Sequence, residues 1–219
     1  MSEVKQTKKT LYGSGKVYSA DFDASTFPTV ADFSKMTKEE SAAAFNYIKT
    51  VCVPENRIGL LKGGYQFQLT TENLTDQDDL GELKIDTIKK ETGVSSFNLF
   101  NVDGKTIASQ YPTAEYSEVA EDGSSLAAIG GLEHIDETIH VIVFERIDKK
   151  NGNTYVIAAG KNISGLTVGY NLDAVGTLPI QIACEPLNER GHLCWFYTPP
   201  TSAAAKVSTT TTTTTTNTK

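Results

Sequence analysis

Three short stretches bring together side chains whose types and spacing have chemical use. Gly191-His192-Leu193-Cys194 sets an imidazole and a thiol two residues apart, which on a strand turns both to one side. That pairing is either a nucleophile with its base or half of a metal site. The chain holds only three histidines, His134, His140 and His192, and no second ligand cluster or orienting group accompanies this one. A surface histidine beside a buried thiol is the plainer expectation, and His140, opening a strand, belongs on its wet face. The run Asp76-Gln77-Asp78-Asp79-Leu80-Gly81-Glu82 crowds carboxylates around a glycine, as calcium loops do. It does not match D-x-[DN]-x-[DN]-G with a distal glutamate, so a solvated hairpin loop is the simpler reading. Tyr12-Gly13-Ser14-Gly15-Lys16 has the glycines and lysine of a phosphate loop. It lacks the G-x-x-x-x-G-K-[ST] spacing, and no helix pattern follows it. The sequence therefore offers no catalytic residue, no metal site and no cofactor site, and an enzyme is the least favoured class.

Bulk properties narrow the field further. At 219 residues and 39% hydrophobic content the chain can bury a real core. A net charge of -7 gives no broad basic surface of the kind that neutralises many phosphates, so stable wrapping of DNA or RNA is disfavoured. No run of about 18 apolar residues exists to span a bilayer, and the charged N-terminus lacks the apolar core of a signal peptide. The expectation is a soluble protein made in the cytoplasm, without membrane insertion. Cys52, Cys184 and Cys194 are odd in number and lie in no C-x-x-C spacing, which fits free thiols.

The elements that must position these residues are mostly strands. Residues 1–36, rich in Ser, Thr, Asp and Lys, read as an extended N-terminal arm with short strands. Thr37 with Glu40 three residues on is a capping box, and Phe45, Ile48 and Cys52 form an apolar stripe before Pro54, so a single helix is expected at about 38–51. From there the period is two. Tyr65, Phe67 and Leu69 alternate with Gln66, Gln68 and Thr70, predicting one buried and one wet face. Leu83, Ile85 and Thr87, then Phe97 and Leu99, predict successive antiparallel strands. Residues 137–147 and 148–160 read as a hairpin turned tightly at Asn151-Gly152. Residues 164–172 and 178–187 complete the set, with Pro179 at a strand start. Leu126, Ala127, Ala128 and Ile129 fit either a short helix or a buried turn. The threonine-rich end offers almost no apolar surface to offset its ordering and reads as a disordered tail. The domain division is thus 1–36 arm, 37–199 β domain and 200–219 tail, in a mainly β (α+β) fold of sandwich or barrel-like type with one flanking helix and a long loop between strands.

At Glu55-Asn56-Arg57-Ile58-Gly59-Leu60-Leu61-Lys62-Gly63-Gly64 the chain resembles the major tail protein, or tail tube protein, of tailed bacteriophages of Gram-positive hosts. That family runs from an I-G-x-x-K-G-G element through a strand and a polar loop to D-D-L-G, here Asp78-Asp79-Leu80-Gly81. The likeness extends loosely to about Pro199. It implies a β-sandwich flanked by a helix, and a virion structural subunit made in the host cytoplasm. Subunits would join into rings, usually of six, stacked as a tube in the virion tail, through which genome DNA passes without specific binding. Its implied partners are copies of itself and the tape measure, tail-tip and tail-terminator proteins. The same resemblance places the loop after the strand at Tyr65 against the adjacent ring, so Asp76, Asp78, Asp79 and Glu82 are expected to meet Lys84, Lys89 and Lys90 of another copy. The competing reading is a non-enzymatic β-sandwich module on a virion or cell surface that recognises carbohydrate or protein, for which the threonine tract serves as a spacer.

Overall fold

The structure, a computed structural model, describes residues 15–77, 84–100, 103–119, 121–131, 133, 135, 137–148, 152–167 and 177–200. Among these it is mainly β. In chain order come β1 (Gly15–Asp21), α1 (Lys38–Val51), β2 (Arg57–Gln77), β3 (Lys84–Leu99), α2 (Gly104–Gln110), β4 (Ala114–Glu118), β5 (Ser125–Ile129), β6 (His140–Arg146), β7 (Thr154–Asn162), β8 (Leu178–Glu185) and β9 (Cys194–Tyr197). A 3-10 turn at Pro54–Asn56 joins α1 to β2.

Helix α1 begins where its local chemistry demands. Thr37 accepts from the Glu40 amide, and the Glu40 carboxylate accepts from the Thr37 amide at 2.8 Å, so two otherwise orphaned N–H groups are satisfied. Its inward stripe is Ala44, Ile48 and Val51, with Phe45 and Cys52 partly buried at its margin. Burying a side chain such as Ile48 contributes about 1.5–3 kcal/mol. The helix lies on the outer face of β1, β6, β7 and β9, over Tyr18, Val141, Val143, Ile157 and Trp195.

All strand pairings are antiparallel, and the large sheet runs β6-β1-β2-β3-β8-β7-β9 with β6 also paired to β7. Six strands therefore close in a circuit, with β9 outside it on β7. Inside the circuit Val17, Phe97, Leu99, Ile142, Phe144, Val156, Leu178, Ile180 and Ile182 pack together. Neighbours on one strand alternate between the two clusters: Val141 and Val143 face α1, Ile142 and Phe144 face inward. Strands covered on both faces read as continuous apolar runs, as β6 and β7 do. Strands β8 and β9 lie end to end along one edge of β7, Glu185 opposite Ala159 and Cys194 opposite Ala158, with 186–193 looping out between them.

Several expectations are corrected. The short strand expected in 1–36 is β1, but it does not extend away from the body: it sits between β6 and β2, Val17 is wholly buried, and Phe27 and Val30 join the core under α1. Among the described residues there are two α-helices rather than one. The second, α2, is a seven-residue turn started by Asp103, whose carboxylate accepts from the Thr106 amide at 2.6 Å. Ser125–Ile129 is neither helix nor buried turn but a strand paired with β4, and Leu126 is exposed. The strands expected at Ile85 and at Phe97 are one continuous β3. Residues 163–167 carry no strand, and 168–172 lie outside the described residues, as do residues 1–14 and 201–219. The β6–β7 connection spans 147–153 rather than two residues. Gly152 takes a φ of 84° as its turn requires, its amide reaching the Asp148 carbonyl at 3.0 Å, while Asn151 is outside the described residues.

Candidate functional site

The most unusual surface is the distal half of the β2–β3 hairpin. Strand β2 enters it through a bulge: Leu61 stands opposite Leu99 and Tyr65 opposite Phe97, so Lys62, Gly63 and Gly64 face Asn98 alone. Gly63 and Gly64 have φ of 87° and 88°, a region where a side chain is strained, which accounts for this glycine pair. Past the bulge, Tyr65 stacks 5.0 Å from Phe144 and donates or accepts a 2.8 Å hydrogen bond with buried Ser95. The apolar face then leaves the body. Leu69, expected buried with Tyr65 and Phe67, is 50% exposed, and Leu74, Ile85 and Ile88 are exposed by 54%, 52% and 57%. Register puts Leu69 on the face of Phe67. An extra residue in β3, Lys89, lies between the pairs Glu72–Lys90 and Asn73–Ile88, so Ile88 shares the Leu69 face while Leu74 and Ile85 take the other.

The hairpin's edges are open as well. Strand β1 pairs with β2 only as far as Leu60, and β8 pairs with β3 only from Val94 to Leu99. Beyond those residues neither strand has an outer neighbour among the described residues. At its root, the outer face of β2, β3 and β8 presents Gln66, Gln68, Thr70, Asn98 and Gln181, all uncharged and mostly exposed.

Of the residues singled out for charge, Asp76, Lys84, Lys89 and Lys90 lie along this hairpin. Asp76 and Lys84 are in β2 and β3, opposite Ile85 and Gln77. Asp78, Asp79 and Glu82 lie outside the described residues. Lys89 has a partner on its own hairpin, with Nζ 3.5 Å from Glu72 Oε1, and Lys90 stands opposite Glu72 in register. Both members of the Lys89–Glu72 pair are well exposed, so it contributes about 0–1 kcal/mol. The apolar side chains, which sequence reasoning missed because exposure has no local signature, are the larger resource.

A second surface follows β9, whose outer edge is open among the described residues. Along it runs an apolar groove of about 430 Å³ lined by Val30, Phe33, Met36, Trp195, Phe196 and Tyr197. Phe33 packs edge-on against His192 and Trp195 at 4.6 and 5.7 Å. Trp195 is 8% exposed, and its Nε1–H finds no hydrogen-bond partner among the described residues.

The stretches with chemical use do not converge. His192 lies in the loop ahead of β9 rather than on the strand, its Nδ1 3.0 Å from the Asn188 amide. The Cys194 thiol is pushed up to about 12 by burial, with nearby Cys184 adding to the effect, and burial pushes Cys52 to about 12 as well. Protonated thiols of this kind are poor nucleophiles and poor ligands. All three cysteines are free. His140 is half-buried, with Nδ1 3.4 Å from Asp21 Oδ1, and His134 lies outside the described residues. Among the described residues no group of three or more His, Cys, Asp or Glu side chains could hold a metal ion, and no helix is long and apolar enough to cross a membrane. No family model matches the chain, and no curated protein matches it.

Proposed function

We propose that this protein is a structural subunit that assembles with copies of itself, and that the assembly is a phage tail tube. The observation that carries the reading is the distal hairpin, with apolar side chains on both faces and both edges unpaired among the described residues. An isolated two-stranded ribbon is marginal in water, and an open apolar edge invites another chain. Covering four half-exposed Leu and Ile side chains offers about 3–6 kcal/mol per subunit, from about 1.5–3 kcal/mol for each whole side chain. Association costs about 4–15 kcal/mol, so one such contact is weak and a repeated one holds.

The finer assignment to the tail-tube fold is supported by three features. The six-strand circuit carries a helix on one outer face, as the resemblance implies. The I-G-x-x-K-G-G element falls at the bulge that launches the hairpin. The outer face of β2, β3 and β8 presents Gln66, Gln68, Thr70 and Gln181, with Lys62 opposite Asn98, and a face made mostly of amides and hydroxyls lets DNA slide where a basic one would hold it by counterion release. Assembly is tested by sedimentation velocity and negative-stain microscopy across protein and salt concentration. Rings or tubes are expected; monomers throughout would refute the reading.

A further inference from the structure

We infer that the chain ahead of β1, residues 4–12, continues that strand along the outer edge of β2 in the same molecule and makes the distal hairpin a three-stranded ribbon. Its direction follows from the pairing. Strand β1 runs antiparallel to β2 with Lys16 opposite Leu60, so the backbone that precedes Gly15 leaves the body where the unpaired edge of β2 begins and heads along it toward Leu74. The described residues leave the way clear at the bulge: a methyl group on Gly64 would meet no atom within 4 Å, and one on Gly63 would meet only Asn98 Nδ2, at 3.9 Å. A strand edge without an outer neighbour carries backbone groups that an added strand satisfies.

The register can be counted. Between the pairs Leu61–Leu99 and Tyr65–Phe97, strand β2 holds two more residues than β3. A strand on its other side that passes over the same two places Tyr12 opposite Gln66, Leu11 opposite Phe67, Thr7 opposite Thr71 and Val4 opposite Leu74. The side chains agree with that count independently. Val4 and Leu11 are the aliphatic residues of the stretch, and in this register each meets an apolar partner, half-exposed Leu74 and half-buried Phe67. A slip of one residue either way would set them against Asn73 and Gln66, or against Thr75 and Gln68. Thr7 with Thr71 is a favourable cross-strand pair, and Lys5, Lys8 and Lys9 face Asn73, Thr70 and Leu69, so no charge opposes a like charge. Lysines on the new outermost strand also discourage any further strand from adding there. The edge of β3 from Lys84 to Gly93 is then the one left open, which gives any contact between copies a single side.

Two cross-linking variants of the whole chain test it, Val4→Cys with Leu74→Cys and Leu11→Cys with Phe67→Cys. Opposed pairs alternate between hydrogen-bonded sites and closer, non-hydrogen-bonded ones, and these two stand an odd number of residues apart, so one of them is of the closer kind. Each variant is treated, at a concentration where it is monomeric, with oxidised glutathione, which takes up two electrons and two protons as the two thiols join. Mass spectrometry after proteolysis then locates the link. At least one variant should form it within a single chain, whereas Val4→Cys with Ile88→Cys should not, because β3 lies about 10 Å from the added strand. Links that join two chains place the segment on another copy and overturn the inference. So does the absence of any link in both variants when their circular dichroism matches that of the unaltered chain. Hydrogen exchange gives a second reading without new thiols. Thr7→Pro with Lys9→Pro removes donors from the added strand, so residues 66–74 should exchange about tenfold faster than in the unaltered chain while 140–146 stay as they were. Equal exchange of 66–74 in the two chains overturns the inference as well. None of these outcomes depends on whether copies assemble.

Discussion

Replacing Leu69, Leu74, Ile85 and Ile88 together by serine should separate assembly from folding. Each of these side chains is about half exposed in the subunit. Full burial of a Leu or Ile is worth about 1.5–3 kcal/mol, so each has about 1 kcal/mol still to gain from a neighbour. Losing all four removes about 3–6 kcal/mol per subunit from assembly, which at about 1.4 kcal/mol per decade raises the critical concentration roughly a hundredfold to ten-thousandfold. The six-strand circuit closes below these positions, so the monomer's cooperative melt should fall by only a few degrees. Pelleting or light scattering gives the critical concentration, and differential scanning calorimetry gives the melt. As a control, Lys89→Ala deletes only the exposed pair with Glu72, about 0–1 kcal/mol and screened by salt, so it should change the critical concentration by about fivefold at most. A quadruple variant that assembles at the original concentration refutes the reasoning. So does one whose barrel unfolds in step with the loss of assembly, since the hairpin would then be part of the core.

A methyl group at Gly160 would overlap the Ala183 carbonyl where β7 meets β8, so Gly160→Ala should cost about 3 kcal/mol and lower the melting temperature by roughly 6–12 °C. Thr37→Ala removes one half of the capping box and should cost about 1 kcal/mol, read as a small loss of denaturant midpoint with an unchanged slope. Glu40 accepts from the Thr37 and Ala31 amides at 2.8 Å, which holds its carboxyl below the ordinary 4.5. Its contribution is therefore complete above pH 4.5 and fades as pH drops through the lowered folded value, so Glu40→Gln should flatten that part of an acid titration of stability. With Cys52 and Cys194 pushed to about 12 and Cys184 raised by burial, the native chain at pH 7 should react slowly with iodoacetamide, and the unfolded chain should take up three equivalents.

What the sequence disclosed was whatever its local chemistry settles. Thr37 and Glu40 mark the start of α1 because the cap is made from residues three apart. The alternation of Ile180 and Ile182 with Gln181 marks β8 because that strand has one dry and one wet face. A short strand was expected somewhere in 1–36, but its place in the core was not, since Val17 and Tyr18 are buried on opposite faces by α1, β2 and β6, and their burial has no local pattern. Strand β3 read as two because the extra residue at Lys89 puts Ile85 and Thr87 out of phase with Phe97 and Leu99. The exposed apolar positions of the hairpin had no signature: Leu69 alternates like a core residue and lacks only the neighbour that would bury it. The groove was beyond reach of any local pattern, being built from Phe33 and Met36 on one side and from Trp195 and Phe196, far along the chain, on the other.

The space within the six-strand circuit is filled by Phe97, Leu99, Ile142, Phe144 and Ile180, so no cargo threads an individual molecule. In the assembly proposed above a bore would lie between copies, its calibre fixed by how many stand around the axis and at what angle. Swapping one aliphatic centre residue for another of different bulk would soften or stiffen the building block without widening the duct.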